Sequence, residues 1–473
     1  MQKPPSKTSR FQAPSSMFWV GFLIRVLYLT LAHTYRIRLG QDHLQFGWEM
    51  GRIARALATG YGFADPFTGH TGPTAWAPPL YPLFIAGVFQ IFGIYTAKSA
   101  WVILTINSIF AAATSSIIYE IAVRCFQTLG PTRARKIALW SGWLWALHPA
   151  AMQYAVRWIW DMAITTFLFS KLIAIALRVR AIGESQENPE DVPAADPQTT
   201  SRWAAFGILS GLIALLNSTL LLFIPICGFW MLLGNGDKAA TNDRAPHPLR
   251  SLRWVGEHKL RTALTKAVLS GLIFFAILAP WMIRNYHVFH AFIPIRGNFG
   301  AELNASVQES NDGFSWGPTI PICEQCPEYQ SYKQMGERAY VKQQGELAKQ
   351  HIRTHKCRFL QLALKRFYFY WVSVPHPIEH GAWGVWNELF RVLNYSFVSL
   401  AAVLGLALAL KRRIPAAVLF AWAFALLPLT YYFVTVQARF RSPLEPIMTI
   451  LAVYLFQSAT PRNRPSQSPS RLP

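Results

Sequence analysis

Long apolar runs recur along the chain, separated by short polar segments. Five such runs cover residues 17–31, 100–123, 267–283, 392–410 and 414–434. A helix needs about 20 predominantly apolar residues to cross the hydrocarbon core of a bilayer. The pattern therefore predicts an all-α polytopic membrane protein with about ten transmembrane helices.

The polar segments between the runs predict the order of the domains. This order is a cytoplasmic tail (1–16), an N-terminal transmembrane module (17–283), a large extracytoplasmic loop domain (284–390), C-terminal transmembrane helices (391–458) and a disordered cytoplasmic tail (459–473). Within the first module, residues 36–97 form a first outer loop. Interfacial helices are expected in this first loop and in the large loop.

Two segments of the first loop contain many apolar residues but are not expected to cross the membrane as ordinary transmembrane helices. Residues 44–59 carry an apolar stripe at helical spacing, which predicts an amphipathic helix on the membrane surface. Residues 78–94 are short and begin with Pro78-Pro79. If they spanned the bilayer, the basic residues between 124 and 136 would lie outside, against the positive-inside rule. We therefore expect residues 78–94 to be re-entrant or interfacial.

Composition and charge agree with a membrane protein. The chain is 52% hydrophobic and 14% charged, with a formal net charge of +22. The basic residues stand mainly at the ends of apolar runs, which explains the charge by topology and by anionic lipid. No nucleic-acid-binding motif accompanies them, and no nucleic-acid partner is expected. We expect a multi-pass protein of the inner (plasma) membrane, with both termini in the cytoplasm.

Five cysteines offer little metal chemistry. Cys125 and Cys227 fall in membrane segments, where buried apolar thiols are expected. Cys323 and Cys326 form a Cys-x-x-Cys pair in the large loop, which fits a disulfide or free thiols. A zinc site would need two further ligands at metal spacing, and the sequence shows none.

Two acids near the outer surface are candidates for catalysis. Glu49 and Arg52 stand three residues apart, which places them on one helical face. Such an acid could act as a general base, while the arginine could hold a phosphate. A simple ion pair on a solvated face is the alternative. Asp161 begins another span, where a helix-terminal charge is the competing explanation.

Two further segments place arginines at the outer ends of spans. One is Pro-Trp-Met-Ile-Arg-Asn-Tyr at residues 280–286, which contains Arg284. The other is Gln-Ala-Arg-Phe-Arg-Ser-Pro-Leu-Glu-Pro at residues 437–446, which contains Arg439 and Arg441. Both could receive the phosphate of a membrane lipid. Snorkelling arginines are the structural alternative.

The order of these motifs resembles the dolichyl-phosphate-mannose–protein mannosyltransferase-like family. That family includes the bacterial aminoarabinose transferase and belongs to glycosyltransferase superfamily C. The resemblance covers about residues 17–458. It implies transfer of a sugar from a polyprenyl-phosphate donor, with inversion, at the extracytoplasmic face. The implied acceptor is a lipid, a polysaccharide or a protein. No cofactor is certain, and a divalent metal is left open.

The resemblance also implies roles for individual residues. Alignment on Gly51-Arg52 places the catalytic acid at Glu49, although Glu replaces the family's Asp and Met50 replaces its second acid. Asp161 matches the family's second external acid and is the other expected catalytic residue. The expected substrate-binding residues are Asp42 (the fallback acid), Arg52, Tyr81, Arg284, Asn285, Arg439 and Arg441.

Two other functions compete with this one. A transporter or flippase of lipid-linked or small substrates would carry ionisable residues deep inside several spans. Only Arg25 and Lys171 stand in mid-run, with Glu120 nearer a span end. A non-catalytic membrane assembly factor is the third hypothesis, because Met50 departs from the family pattern.

Overall fold

A computed structural model describes residues 13–37, 46–180, 182, 197–233, 257–308, 321, 324–374 and 382–459. Within these ranges the chain is helical, and an isolated β-bridge pairs Ala64 with Pro73. Asp42 and Cys323 lie outside the described residues. The fallback acid and the Cys323–Cys326 disulfide therefore stay predictions, as do most of both tails.

The described part of the chain up to residue 289 contains ten α-helices. They are α1 (Pro14–Leu31), α2 (Glu49–Ala58), α3 (Leu80–Phe92), α4 (Ala97–Phe126), α5 (Pro131–Leu147), α6 (Pro149–Val156), α7 (Met162–Val179), α8 (Pro197–Leu216), α9 (Ile224–Leu232) and α10 (Glu257–Phe289). The remaining described helices are α11 (Phe299–Val307), α12 (Pro327–Thr354), α13 (Lys356–Val372), α14 (Ala382–Lys411), α15 (Ala417–Leu426), α16 (Leu429–Phe433) and α17 (Glu445–Ser458).

Six helices in the described ranges are long and apolar enough to cross a membrane. They lie at Pro14–Leu31, Ala97–Leu129, Met162–Val179, Thr199–Leu216, Arg261–Phe289 and Glu388–Lys411. The all-α polytopic class is thus confirmed, whereas the number of about ten spans stays a prediction. Several of the expected spans are interrupted: Pro149 separates α5 from α6, and Pro428 separates α15 from α16.

The two helices of the first loop pack against each other. The apolar stripe of α2 is buried at Met50, Ile53 and Ala54, so it faces protein. Helix α3 has 13 residues, which is about 20 Å of helix against about 30 Å of hydrocarbon. The predicted re-entrant or interfacial position of this segment is not tested by these contacts.

An ion-pair network lies at the far end of α7 from Asp161. The Arg178 guanidinium donates to Glu120 through Nε at 2.6 Å and Nη2 at 2.7 Å, and Arg124 adds a second contact at 3.2 Å. Because α7 has 18 residues, this network lies about 27 Å from Asp161 along the helix. The Glu120 network and Asp161 therefore lie at opposite ends of α7.

The large loop rests on the first loop through a buried carboxylate. Glu337 follows Gly336, whose φ of 75° kinks α12. Its carboxylate accepts hydrogen bonds from the Thr74 hydroxyl, from the Ala75 N–H at 2.7 Å and from the Tyr332 hydroxyl at 2.9 Å. We call this group the Glu337 clasp. It fixes the large loop beside Trp76, which lines the cavity described next.

Candidate active site

A cavity of about 980 Å³ lies where the first loop, the large loop and several helix ends meet. The residues that line it fall within the segments 48–50, 76–78, 153–154, 158–162, 216–222, 296–302 and 430–440, with Phe67, Cys326 and Val374 from elsewhere. A volume of this order suits a small-molecule or lipid-headgroup ligand. Glu49, Asp161, Arg296, Glu302 and Arg439 all line this cavity.

Glu49 occupies the first turn of α2 at the cavity wall. The two residues before it have left-handed backbone, with φ of 82° at Gly47 and 51° at Trp48. In the described part of the chain its carboxylate accepts a hydrogen bond from its own N–H and from no other residue. Burial raises the pKa of Glu49, while the charges of Arg296 and Arg439 oppose the rise. An unpaired carboxylate with a raised pKa is suited to accepting a proton.

Asp161 precedes the first turn of α7 and is 3% exposed. The Thr165 hydroxyl donates to its Oδ2 at 2.9 Å. Burial raises the pKa of Asp161 to about 6, and the hydrogen bond from Thr165 and the charge of Arg439 limit that rise. Asp161 therefore changes charge closer to neutral pH than an ordinary aspartate does.

Arg439 lies on a short 3-10 turn at Ala438–Arg441. Its guanidinium carbon stands 3.9 Å from the centroid of the Trp160 ring and 5.1 Å from that of Phe440. Within the described ranges no group accepts a hydrogen bond from this guanidinium. Stacking covers one face and leaves the in-plane N–H donors available, which is the geometry that phosphate recognition uses.

Arg296 and Glu302 also line the cavity, and neither was predicted from the sequence as a site residue. Arg296 donates through Nε to the Trp76 carbonyl at 2.8 Å and through Nη2 to Glu302 Oε1 at 3.1 Å. The Asn298 amide donates to the same Oε1 at 3.0 Å. The segment 295–302 reads Ile-Arg-Gly-Asn-Phe-Gly-Ala-Glu, and nothing in it signals a site.

Part of the cavity lining carries polar but uncharged side chains. The Thr219 hydroxyl lies 2.6 Å from both Asn217 Oδ1 and the Tyr431 hydroxyl. These bonds tie the break after α8 to α16, across 212 residues of sequence.

Arg284 and Asn285, both predicted to bind substrate, do not line the cavity. Arg284 donates to the carbonyls of Thr74 and Phe63, each at 2.7 Å, and so holds the first loop against α10. The Asn285 amide donates to the Ile293 carbonyl at 2.9 Å and is fully buried.

Three other predicted substrate-binding residues also lie away from the cavity lining. Arg441 donates to Ser399 Oγ at 2.8 Å and to Glu445 at 3.2 Å. Tyr81 accepts a hydrogen bond from the Asn107 amide at 3.1 Å. Arg52 is buried on α2 and does not line the cavity. The structure thus brings together Glu49, Asp161 and Arg439, while the roles of all these residues stay predictions.

The acidic, histidine and cysteine side chains of the described residues do not form a metal site. Among them, no group of three His, Cys, Asp or Glu side chains is arranged to hold a metal ion. The chemistry that this set of side chains itself provides is acid–base transfer and binding of anions by arginine.

No family model matches the chain, and no curated protein matches it. Among solved structures it is similar to the Archaeoglobus fulgidus oligosaccharyltransferase in the apo form, with 14% identity and a TM-score of 0.54. That alignment covers 95% of this chain and 51% of the other. The chain thus spans about half the length of that enzyme.

Two further structures are similar. The archaeal oligosaccharyltransferase AglB from Archaeoglobus fulgidus, in complex with an inhibitory peptide and a dolichol-phosphate, gives 12% identity, a TM-score of 0.50 and coverage of 94% and 50%. ArnT from Cupriavidus metallidurans in the apo state gives 11% identity, a TM-score of 0.34 and coverage of 92% and 78%. These structural neighbours are superfamily C glycosyltransferases. The oligosaccharyltransferase likeness confirms the predicted resemblance at the level of the fold.

Proposed function

We propose that this protein is a membrane glycosyltransferase that moves a sugar from a polyprenyl-phosphate donor to an acceptor, with inversion. The observation that carries the proposal is the arrangement of Glu49 and Arg439 in one cavity. One is a carboxylate without a side-chain partner among the described residues, and the other is a guanidinium stacked on Trp160. A base and an anion ligand are the two groups that such a transfer needs. The shared fold supports the same reaction class.

Arg439 is the proposed ligand of the donor phosphate. Its N–H donors bind the phosphate oxygens, and the charge that develops on the leaving phosphate is stabilised by a guanidinium already in place. The ring of Trp160 keeps the guanidinium oriented without using its N–H groups. Asp161, which interacts electrostatically with Arg439, is proposed to hold the guanidinium in the cavity.

Glu49 is the proposed general base. The acceptor oxygen or nitrogen attacks the anomeric carbon as its proton passes to the Glu49 carboxylate. The bond between the anomeric carbon and the phosphate oxygen breaks, and polyprenyl phosphate leaves with the electron pair. A single displacement of this kind inverts the anomeric centre. The raised pKa of Glu49 makes its carboxylate a stronger base than an exposed glutamate.

We also propose that the site works on the extracytoplasmic side of the membrane. The cavity lies at the end of the bundle where α7 begins and α8 and α10 end, opposite the basic network around Glu120. By the positive-inside rule the basic end is cytoplasmic, and the cavity is extracytoplasmic. The acceptor, whether lipid, polysaccharide or protein, approaches from that side of the inner membrane.

The contacts of the described residues give no specific support to the alternative of a transporter or flippase. Arg25, the main mid-run charge on α1, donates to the carbonyls of Gly21 at 2.9 Å and Ala146 at 2.8 Å. These contacts join α1 to α5, which is a packing role.

The test is transfer from a radiolabelled polyprenyl-phosphate sugar by purified protein in detergent. Wild-type protein should transfer the label, and Glu49→Gln should lower kcat roughly 100-fold or more, because a positioned base contributes about that much. Glu346→Gln, an exposed acid paired with Lys349, is the matched control and should keep wild-type activity. Wild-type turnover in Glu49→Gln would remove Glu49 from the mechanism. No transfer by wild-type protein with any donor and acceptor offered would reject the function.

A further inference from the structure

We infer that Glu302 is a specificity residue, whose cavity-facing carboxylate oxygen binds a hydrogen-bond donor group of the transferred sugar. The inference rests on the proposed glycosyltransferase function and names part of the substrate that the site recognises. The group bound is a hydroxyl or a protonated amine.

The first observation is how the Glu302 carboxylate is held. Its Oε1 accepts from Arg296 Nη2 at 3.1 Å and from Asn298 Nδ2 at 3.0 Å. In the described part of the chain no group donates to Oε2. Two donors on one oxygen fix the orientation of the carboxylate, and the other oxygen is left for a ligand.

The second observation is the position of Glu302. Glu302 lines the cavity, and 24% of its side-chain surface is exposed. Its charge acts on both Glu49 and Arg439, so it stands near the proposed base and the proposed phosphate ligand. The group that lies between the base and the phosphate ligand in this mechanism is the transferred sugar.

The third observation is the surface around Glu302. Trp76 and Phe299 also line the cavity, and Arg296 is fixed to the Trp76 carbonyl. Trp76 is nearly fully buried, whereas Phe299 is 60% exposed. An exposed aromatic ring beside a fixed carboxylate is suited to a sugar ring, which presents C–H groups to the aromatic ring and O–H groups to the acid. If Glu302 served only as the ion-pair partner of Arg296, its second carboxylate oxygen would not need to be left without a hydrogen-bond donor.

The substitution Glu302→Gln tests the inference without disturbing the contacts that hold the side chain. The two donors retain the glutamine carbonyl in the Oε1 position, so the amide nitrogen takes the place of Oε2. The cavity-facing group then changes from an acceptor to a donor. Glu328→Gln is the matched control, because Glu328 also accepts two hydrogen bonds on one oxygen, from Tyr340 and Gln344, and does not line the cavity.

The experiment compares donors in the transfer assay. The probes are an undecaprenyl-phosphate hexose, its monodeoxy derivatives (one for each hydroxyl) and an amino-deoxy derivative. Wild-type protein should use one monodeoxy derivative at least about tenfold less well, in kcat/KM, than the parent. Glu302→Gln should lose that discrimination, whereas Glu328→Gln should keep it. If an amine is the group recognised, the amino-deoxy derivative should be preferred by wild type and disfavoured by Glu302→Gln.

Two results would overturn the inference. One is equal use of all the derivatives by wild-type protein, and the other is unchanged discrimination in Glu302→Gln. Either result, obtained with an active wild-type protein, leaves the glycosyltransferase function in place. Absence of transfer from every donor by wild-type protein would instead reject the proposed function itself.

Discussion

The guanidinium of Arg439 lies over the indole ring of Trp160, 3.9 Å from the ring centroid. The residue after Trp160 in the chain is Asp161, so the ring and one of the candidate acids come from adjacent positions. A guanidinium stacked in this way is oriented by an apolar surface and keeps its planar N–H donors available. An anion in the cavity can therefore bind without displacing a protein acceptor.

Replacing Arg439 by lysine should lower kcat/KM roughly 100-fold, the range seen when one donor to a developing charge is lost. Lysine keeps the positive charge but lacks the planar fork and stacks less well on Trp160. The transfer assay measures the effect. Arg157→Lys, at an exposed position four residues before Asp161, is the control and should be silent. Wild-type kinetics in Arg439→Lys would assign the phosphate to another residue.

The rate of transfer should fall as the pH is lowered. The fall should begin at a higher pH than the ordinary pKa of a carboxyl group would give. The pKa of Asp161 is raised to about 6, and that of Glu49 is raised as well, in both cases mainly by burial. A general base must be ionised, so activity is present above these pKa values and lost as the carboxyls take up protons. We expect an acidic limb in the kcat profile near pH 6, where Asp161 takes up its proton. A limb near pH 4 would show that neither pKa is raised during turnover.

Replacing Gly47 by alanine should disturb the start of α2 and with it Glu49. A Cβ at this position would stand 2.6 Å from the Ile159 carbonyl oxygen, and the φ of 82° is strained for any residue with a side chain. We expect a loss of at least about 2 kcal/mol in stability and a lower transfer rate.

The substitution Gly62→Ala separates the effect of backbone strain from the effect of contact with the Ile159 carbonyl. Gly62 has a φ of 76°, but its Cβ would meet nothing within 4 Å. This variant should show only the backbone strain, about 1 kcal/mol, with activity nearly unchanged. Thermal unfolding in detergent and the transfer assay measure both variants. Equal effects in both would mean that contact with Ile159 does not matter.

Replacing Glu337 by alanine should destabilise the packing of the large loop on the first loop. The Glu337 clasp satisfies three buried donors, from Thr74, Ala75 and Tyr332, which the variant leaves without their acceptor. We expect a cost of roughly 2–4 kcal/mol, seen as a lower Tm in detergent. Glu346→Ala, at an exposed surface pair, should leave the Tm unchanged. An unchanged Tm in Glu337→Ala would show that the clasp contributes nothing.

The sidedness of the cavity is tested by labelling single cysteines from outside the cell. Lys136 and Lys333 are both exposed, the first beside the basic end of the bundle and the second on the large loop. In a background without the native cysteines, a membrane-impermeant maleimide should label Lys333→Cys and spare Lys136→Cys. Labelling of both from the same side would reject the proposed topology.

The sequence predicted an all-α polytopic membrane protein because the length of an apolar run can be read from consecutive residues. It also selected Glu49, Asp161 and Arg439, which the fold brings to one cavity. Arg284 and Arg441 had the same local signature, a basic residue at a span end. They differ because Arg284 faces the carbonyls of Thr74 and Phe63, and Arg441 faces Glu445.

The carbonyls that bind Arg284 and the Ser399 hydroxyl that binds Arg441 lie far from them in sequence, and no periodicity encodes such contacts. Glu445, by contrast, stands only four residues after Arg441. Glu302 was not predicted as a site residue, because its position also depends on contacts between segments that lie far apart in the sequence. Its surroundings in sequence are ordinary, and only the packing of the large loop on the first loop places it beside Glu49.

The cavity draws its walls from residues at nearly both ends of the chain, and this has a consequence for biosynthesis. At about 5–20 residues per second, Glu49 leaves the ribosome roughly 20–80 s before Arg439. During that interval the nascent protein carries the proposed base but not the proposed phosphate ligand. On this proposal the site is complete only in the last steps of membrane insertion, and a chain interrupted before residue 437 is expected to lack the proposed donor site.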